Sequence, residues 1–357
     1  MYEAKREADV DEEDEYIEFE ISDFIVNFLG NKMNRAYYTK VEQALKNLKS
    51  TEYQFIVSNH TKFGKYKFED EEFKLLTYQK LKKGKKVYYS QGYALDTHAA
   101  SPQWLPLPDL PYPVAYGASV ETPQGLVCIG GMNADSCLTQ VYRLTWNEAE
   151  GFSVQQLPAL PETIDNASAT RAGNNIYVTG GNQQYGQNNL YTLNPETDSV
   201  WTKLTPYPGP YRVQPVLAAG KNHLFLAGGF QSFPESKTCT LSSDLLEYDI
   251  HSGQWKQSIQ LPSEKDGQPR CLVGGAGVSL NNQIIFTGGV NYKIFQHALE
   301  GKAGKDYLQH SPEWYRFNDD LLLFDFQKGT WKILYDIPGM ARAGGILLHH
   351  NHTLYMI

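Results

Sequence analysis

VAYGASVETPQGLVCIGG, residues 114–131, sets two short apolar stretches around a polar turn and closes on paired glycines. Each stretch has the length and the β-branched content of a strand, and the turn between them is short enough for a hairpin. The same half-unit returns as DNASATRAGNNIYVTGG (165–181), RVQPVLAAGKNHLFLAGG (212–229) and CLVGGAGVSLNNQIIFTGG (271–289). Its glycine pairs start at 130, 180, 228 and 288, a spacing of about 50 residues.

Working outward, a second half-unit lies between these copies. It carries an aromatic strand, a turn, a Trp or large apolar residue, a further strand and Leu-Pro or its like. It reads YALDTHAASPQWLPLPDLP, VYRLTWNEAEGFSVQQLPALP, LYTLNPETDSVWTKLTPYP, LLEYDIHSGQWKQSIQLP and LLLFDFQKGTWKILYDIP. Together the halves make a four-stranded antiparallel sheet whose two faces are both apolar, so it cannot be covered alone. Radial packing of several such sheets covers them, which predicts an all-β, kelch-type β-propeller. Glycine pairs then belong where an inner strand ends and the chain turns sharply in a crowded place near the axis. Trp104, Trp201, Trp255 and Trp331 are expected as wedges between neighbouring blades.

Composition agrees with a globular chain: 41% hydrophobic and 20% charged residues over 357 positions, with 24 Tyr. No apolar run approaches the ~18 residues of a membrane span. The acidic opening MYEAKREADVDEEDEYIEFE is unlike a secretory leader, so the expectation is a cytoplasmic protein without membrane contact. Cys128, Cys137, Cys239 and Cys271 are scattered and read as free thiols. The net charge of −8 is uneven: residues 1–20 carry −8, residues 21–86 carry +7, and the remainder about −7. Three regions follow: an acidic tail over 1–20, expected to be disordered, a basic segment over 21–83, and the propeller over 84–357.

The loops of the repeat narrow the reading. PYPVAYGASV (111–120), DNASA (165–169), YRVQP (211–215), GGVNYKIFQHAL (288–299), PEWYRFNDDLLLFD (312–325) and ARAGG (341–345) resemble the kelch family of sialic acid mutarotases, the N-acetylneuraminate epimerases, in their cyclically permuted branch. The insert VNYKIFQHALEGKAGKDYLQHSPEWYRFN, between a glycine pair and its outer strands, is the most particular part. The resemblance implies a six-bladed fold, of which about five blades' worth of strands is present here. It also implies interconversion of the α and β anomers of N-acetylneuraminic acid or a related sugar acid. Ring opening requires a group to take the anomeric hydroxyl proton, another to protonate the ring oxygen, and a cation for the substrate carboxylate. The family's Glu and Arg in a G-E-x-K-P-G-x-R segment would follow TLYMI, where the chain ends at Ile357, so no catalytic residue is assigned and impaired activity is expected. Substrate-binding candidates on matching loops are Asp165, Asn166, Arg212, Gln214, Asn291 and Arg342, the two arginines as carboxylate partners. The alternative role for all six is hydrogen bonding between blades. Glu313 and Arg316 fit either a pocket or a structural pair within the insert.

Residues 21–83 lack the repeat. ISDFIVNFLG (21–30) and MNRAYYTKVEQALKNLKS (33–50) read as helices, followed by two or three strands in TEYQFIVSN, KFGKYKFE and EEFKLLTYQKL and a basic turn KLKKGKK. This outline resembles the winged helix of plasmid replication initiators. It implies duplex DNA as a partner, with Arg35, Lys40 and Lys46 on phosphates and Lys82, Lys83, Lys85 and Lys86 on the wing. A solvated basic face and a non-enzymatic kelch binding module are the competing readings. No cofactor or metal is called for: His349, His350 and His352 align with the polar hairpin turns AGNN, AGKN and LNNQ.

Overall fold

The structure, a computed structural model, describes three strands within residues 1–87, strands at 93–96 and 103–106, and residues 110–356. Within that last span 111, 134–135, 148–150, 187, 257, 305, 336, 338 and 351–352 are excepted. The chain divides into two compact units, Met1–Val87 and Tyr88–Ile357. In the first, Lys5–Glu7 pairs antiparallel with Tyr53–Val57, which pairs with Gly64–Phe68. The last two strands fall in the TEYQFIVSN and KFGKYKFE segments, and the first lies inside the acidic stretch. The helices expected over 21–30 and 33–50, and Arg35, Lys40, Lys46, Lys82, Lys83, Lys85 and Lys86, lie outside the described residues.

The second unit is a kelch-type β-propeller with four complete blades among its described residues. Blade I is Ala118–Thr122, Gly125–Ile129, Val141–Asn147 and Gly151–Leu157; blade II is Ser168–Ala172, Asn175–Thr179, Leu190–Leu193 and Thr202–Leu204. Blade III is Val216–Gly220, His223–Ala227, Asp244–Asp249 and Gln254–Trp255, with Ile259–Gln260 also on its third strand. Blade IV is Gly275–Leu280, Gln283–Gly288, Leu321–Asp325 and Thr330–Leu334. Hairpins Tyr93–Asp96/Gln103–Pro106 and Leu347–His350/Thr353–Met356 form two further two-stranded sheets. The first strands of successive blades pack against one another in order, and that of blade IV packs against Leu347–His350. This places the first strands around the axis and the fourth at the rim.

Strand alternation explains why both faces of each sheet are apolar. In the second strand of blade II, Ile176 and Val178 join the core shared with blade I, while Tyr177 joins the core shared with blade III. In blade III, Leu224 and Leu226 face blade II, and Phe225 and Ala227 face blade IV. In blade IV, Ile284 and Phe286 look back, and Ile285 meets Leu347 of the last hairpin. The core is therefore a series of seams, one per pair of neighbours. Trp201 and Trp255 wedge into them as expected, their Nε1 atoms donating to Pro158 O at 2.8 Å and Thr205 O at 2.9 Å in the blade before. Trp331 packs with Phe286 and Phe324, but its Nε1 is buried with no acceptor.

First and second strands are joined by two-residue turns. Thr122 pairs with Gly125, Ala172 with Asn175, Gly220 with His223 and Leu280 with Gln283. Gly173, Lys221 and Asn281 open three of these turns in the left-handed region, as tight hairpins of this kind require. The longer connections run at the opposite edge of each sheet.

The glycine pairs end the second strand of each inner half-unit, as the sequence reads. A Cβ on the first glycine of each pair would meet the segment leading into the next blade, and one on the second would meet the segment leading into its own blade. The second glycine of each pair donates its N–H across the seam: Gly131 to Ile164 O, Gly181 to Arg212 O, Gly229 to Cys271 O and Gly289 to Arg342 O, at 2.7 to 2.8 Å. All eight glycines have positive φ.

Candidate functional site

The long connections, from strand two to three and from blade to blade, share one face of the propeller, and every proposed substrate contact lies there. At its centre five residues precede the axial strands in left-handed conformation: Tyr116, Asn166, Gln214, Gly274 and Gly344. Their backbones form a chain of hydrogen bonds around the axis. Asn166 N donates to Tyr116 O (2.8 Å), Gln214 N to Asn166 O (2.9 Å), Gly274 N to Gln214 O (3.4 Å) and Gly344 N to Gly274 O (2.7 Å). Three of the five are not glycine, although left-handed backbone strains most side chains. Asn166 and Gln214 also join through their amides, Gln214 Nε2 donating to Asn166 Oδ1 at 2.9 Å.

The neighbouring Asp165 is buried and accepts from Asn166 Nδ2 at 2.6 Å, Asn182 Nδ2 at 2.8 Å and Cys137 Sγ at 3.2 Å. Asp165, Asn166 and Gln214 therefore form one polar cluster beside the axis. Arg212 is turned into blade III. Its side chain is 2% exposed, and its guanidinium meets Asp244 at 2.8 Å and Gly228 O at 3.2 Å. Arg270 makes the matching tie in blade IV, bidentate on Asp320 at 2.9 and 2.7 Å. Arg342 lies one hairpin further on, donating to Gly339 O at 2.7 Å and Met356 O at 3.4 Å. Burial lowers its pKa from the usual guanidinium value.

Asn291 belongs to a different part of the face. It caps helix α1, Tyr292–Leu299, its side chain accepting from Ile294 N. Phe230 and Leu241, from the hairpin Phe230–Phe233/Thr238–Leu241, pack with Phe295 and Leu299 of α1 and hold the helix against blade III. Beside it the insert borders an open cavity of about 560 Å³ lined by Asn291, Lys293, His297, Ser311, Glu313, Trp314 and Arg316, among others. Trp314 stacks on His310 with ring centroids 3.9 Å apart. Glu313 and Arg316 are joined through the backbone, Arg316 N to Glu313 O at 3.3 Å, and both line the cavity. The sequence flagged the insert without its helix, and Lys293 and His297, one helical turn apart, were missed because that periodicity was not read there.

Two buried carboxylates were also missed. Glu162 accepts from Tyr185 N, Asn189 Nδ2 and Tyr191 OH at 2.6 to 2.9 Å. Glu264 accepts from Asn291 Nδ2, Tyr292 N and Asn318 Nδ2. Both follow a Leu-Pro pair, in LPE and LPSE, and that shared position was the available signal. Among the described residues no group of His, Cys, Asp and Glu is arranged to hold a metal, and no helix is long and apolar enough to cross a membrane. His350 and His352 lie outside the described side chains.

Such a face offers cations for a carboxylate, an indole for a sugar ring, and Asp266, His297 and Glu313 as titratable groups at one cavity. Among solved structures, that of YjhT matches with a TM-score of 0.55 at 21% identity, covering 75% of this chain and 84% of that one. This likeness concerns the fold alone. An N-acetylneuraminate epimerase of Haemophilus influenzae (strain PittEE) is 30% identical over 218 residues, which is 57% of this chain and 56% of the relative. One from Yersinia enterocolitica is 28% identical over 235 residues, 62% of this chain and 56% of the relative. The chain thus spans about half the length of the curated relatives it matches. The N-acetylneuraminate epimerase family profile matches residues 157–357, more than half of the sequence and the whole of blades II to IV with the insert, so the chain belongs to that family.

Proposed function

We propose that the propeller interconverts the α and β anomers of N-acetylneuraminate or a closely related sugar acid at the face carrying the insert. The observation that carries this reading is the insert cavity, which groups cations, titratable side chains and an indole inside the family-matched stretch. Mutarotation needs no net redox change. The anomeric hydroxyl loses a proton, the C2–ring oxygen bond opens with a proton delivered to that oxygen, and closure on the other face of the ketone reverses both transfers. Lys293 and Arg316 hold the carboxylate in this reading, and Trp314 lines the ring. His297 and Glu313 are the candidates to pass the protons. Arg212, committed to Asp244, supports blade III and leaves carboxylate recognition to the insert.

The cavity also fits a second reading, binding of a sugar acid without turnover, favoured by the commitment of Asp165, Asn166, Arg212 and Gln214 to one another and to the blades. Exchange NMR of the two N-acetylneuraminate anomers with purified protein separates the readings. Mutarotation predicts an exchange rate rising in proportion to protein and lost in a Lys293→Ala/Arg316→Ala double variant. Saturable binding at an unchanged rate selects the second reading, and neither effect refutes both.

A further inference from the structure

Glu264 lies in the loop between blades III and IV with 5% of its surface exposed. Oε2 accepts from Asn291 Nδ2 at 2.7 Å, and Oε1 accepts from Tyr292 N at 3.0 Å and Asn318 Nδ2 at 3.2 Å. Asn291 and Tyr292 are where the chain leaves blade IV for the insert, and Asn318 is where it returns. Asn318 ties the same two points directly, through its N–H to Gly289 O at 3.0 Å and its amide to Val290 O at 3.1 Å. The other end of the Asn291 amide is taken as well, its Oδ1 accepting from Ile294 N at 3.1 Å. A single carboxylate thus sits between both feet of the excursion that carries Lys293, His297, Glu313 and Arg316.

We propose that Glu264 is a positioning residue for the insert cavity, setting the separation of the two feet and the start of α1 without touching ligand. This rests on the cavity being the sugar-acid site. The ionisable groups around the carboxylate are Arg270, whose guanidinium is held by Asp320, together with Asp266, Cys271 and Tyr292. Burial pushes the carboxyl up to about 7 from 4.5, against the lowering effect of Asn318, Tyr292 and Arg270. A carboxyl held above its free value in the closed insert favours closure below about pH 4.5. That preference is lost as the pH rises through about 7. The insert therefore opens more readily at pH 8 than at pH 5.

Hydrogen exchange of peptides within 292–317, corrected for intrinsic rates, tests this in the full chain from pH 5 to pH 8, alongside anomer-exchange kinetics. The expected result is protection that falls with pH in the wild type, a flat profile in Glu264→Gln, and low protection at every pH in Glu264→Ala. Blade II peptides stay unchanged throughout. In the kinetics KM rises roughly tenfold in Glu264→Ala, and it climbs with pH in the wild type but not in Glu264→Gln, while kcat stays within about twofold. Should Glu264→Ala fail to fold, Asn318→Ala removes one foot's donor and takes its place. A flat wild-type profile, or insert protection unaffected by these substitutions, overturns the role of Glu264. An absence of wild-type turnover with the exchange profile intact counts against the sugar-acid reading and leaves the positioning role standing.

Discussion

Gly229 donates its amide to the carbonyl of Cys271 at 2.8 Å, stitching blade III to blade IV with backbone alone. Its neighbour Gly228 has φ of +62°, and a Cβ there would stand 2.0 Å from the same carbonyl. Gly228→Ala therefore breaks the seam as well as straining the turn, at a cost of about 3–5 kcal/mol. Gly173 has nearly the same φ, +61°, but a Cβ there would meet no atom within 4 Å. Gly173→Ala is expected to cost only about 1 kcal/mol. Urea unfolding followed by Trp fluorescence gives both values, and equal losses would refute the seam explanation.

Arg270 and Asp320 are 1% and 2% exposed and doubly hydrogen-bonded. Removing one partner strands a buried charge. Arg270→Ala or Asp320→Ala should destabilise by about 3–5 kcal/mol, while an Arg270→Met/Asp320→Leu pair should lose far less than the sum. A double-mutant cycle in denaturant decides it; strictly additive losses would show that the pair does not act as a unit.

Cys137 is exposed, and its thiol donates to Asp165. Burial first, then the hydrogen bond and charge of Asp165, raise its pKa above the ordinary thiol value. Asp165→Asn removes the two contributions that come from the carboxylate. At pH 8 the variant's Cys137 should alkylate several-fold faster, because more of it is thiolate. Cys271, pushed up to about 12 by burial, should remain unlabelled in the folded protein. A rate for Cys137 that ignores Asp165 would refute the electrostatic account.

Trp201 stands just before the fourth strand of blade II and Trp331 within that of blade IV, but of the two only Trp201 has an acceptor for its indole N–H, at Pro158 O. Phe keeps most of the packing and deletes the donor. Trp201→Phe should therefore cost about 1 kcal/mol more than Trp331→Phe. Thermal unfolding of the two single variants is sufficient to compare them.

The fold was legible because the features that make it are local and repeated. Glycine at a position with positive φ against a neighbour's backbone is hard to replace, so the pairs at 130, 180, 228 and 288 stand out in the sequence. The axial ring was not legible in the same way. Tyr116 and Gln214 hold left-handed backbone without announcing it, since hydrogen bonds between blades sustain what intrinsic preference opposes. Arg212 was readable as a cation near the face, yet its partner Asp244 lies 32 residues on and turns it inward. Glu264 shows the same difficulty: its donors come from 27, 28 and 54 residues away, beyond any local pattern.

The two-residue turns at the far edge leave little freedom there, since an added residue would shift the register and turn each side chain to the wrong seam. At the opposite edge each seam is already stitched by the second glycine before the chain departs. A loop leaving from that point can lengthen from the hairpin of blade III to the helical insert of blade IV while the sheets beneath keep their registration. Change in this architecture is thus directional: the propeller can acquire new recognition on one face while the other acts as a fixed hem.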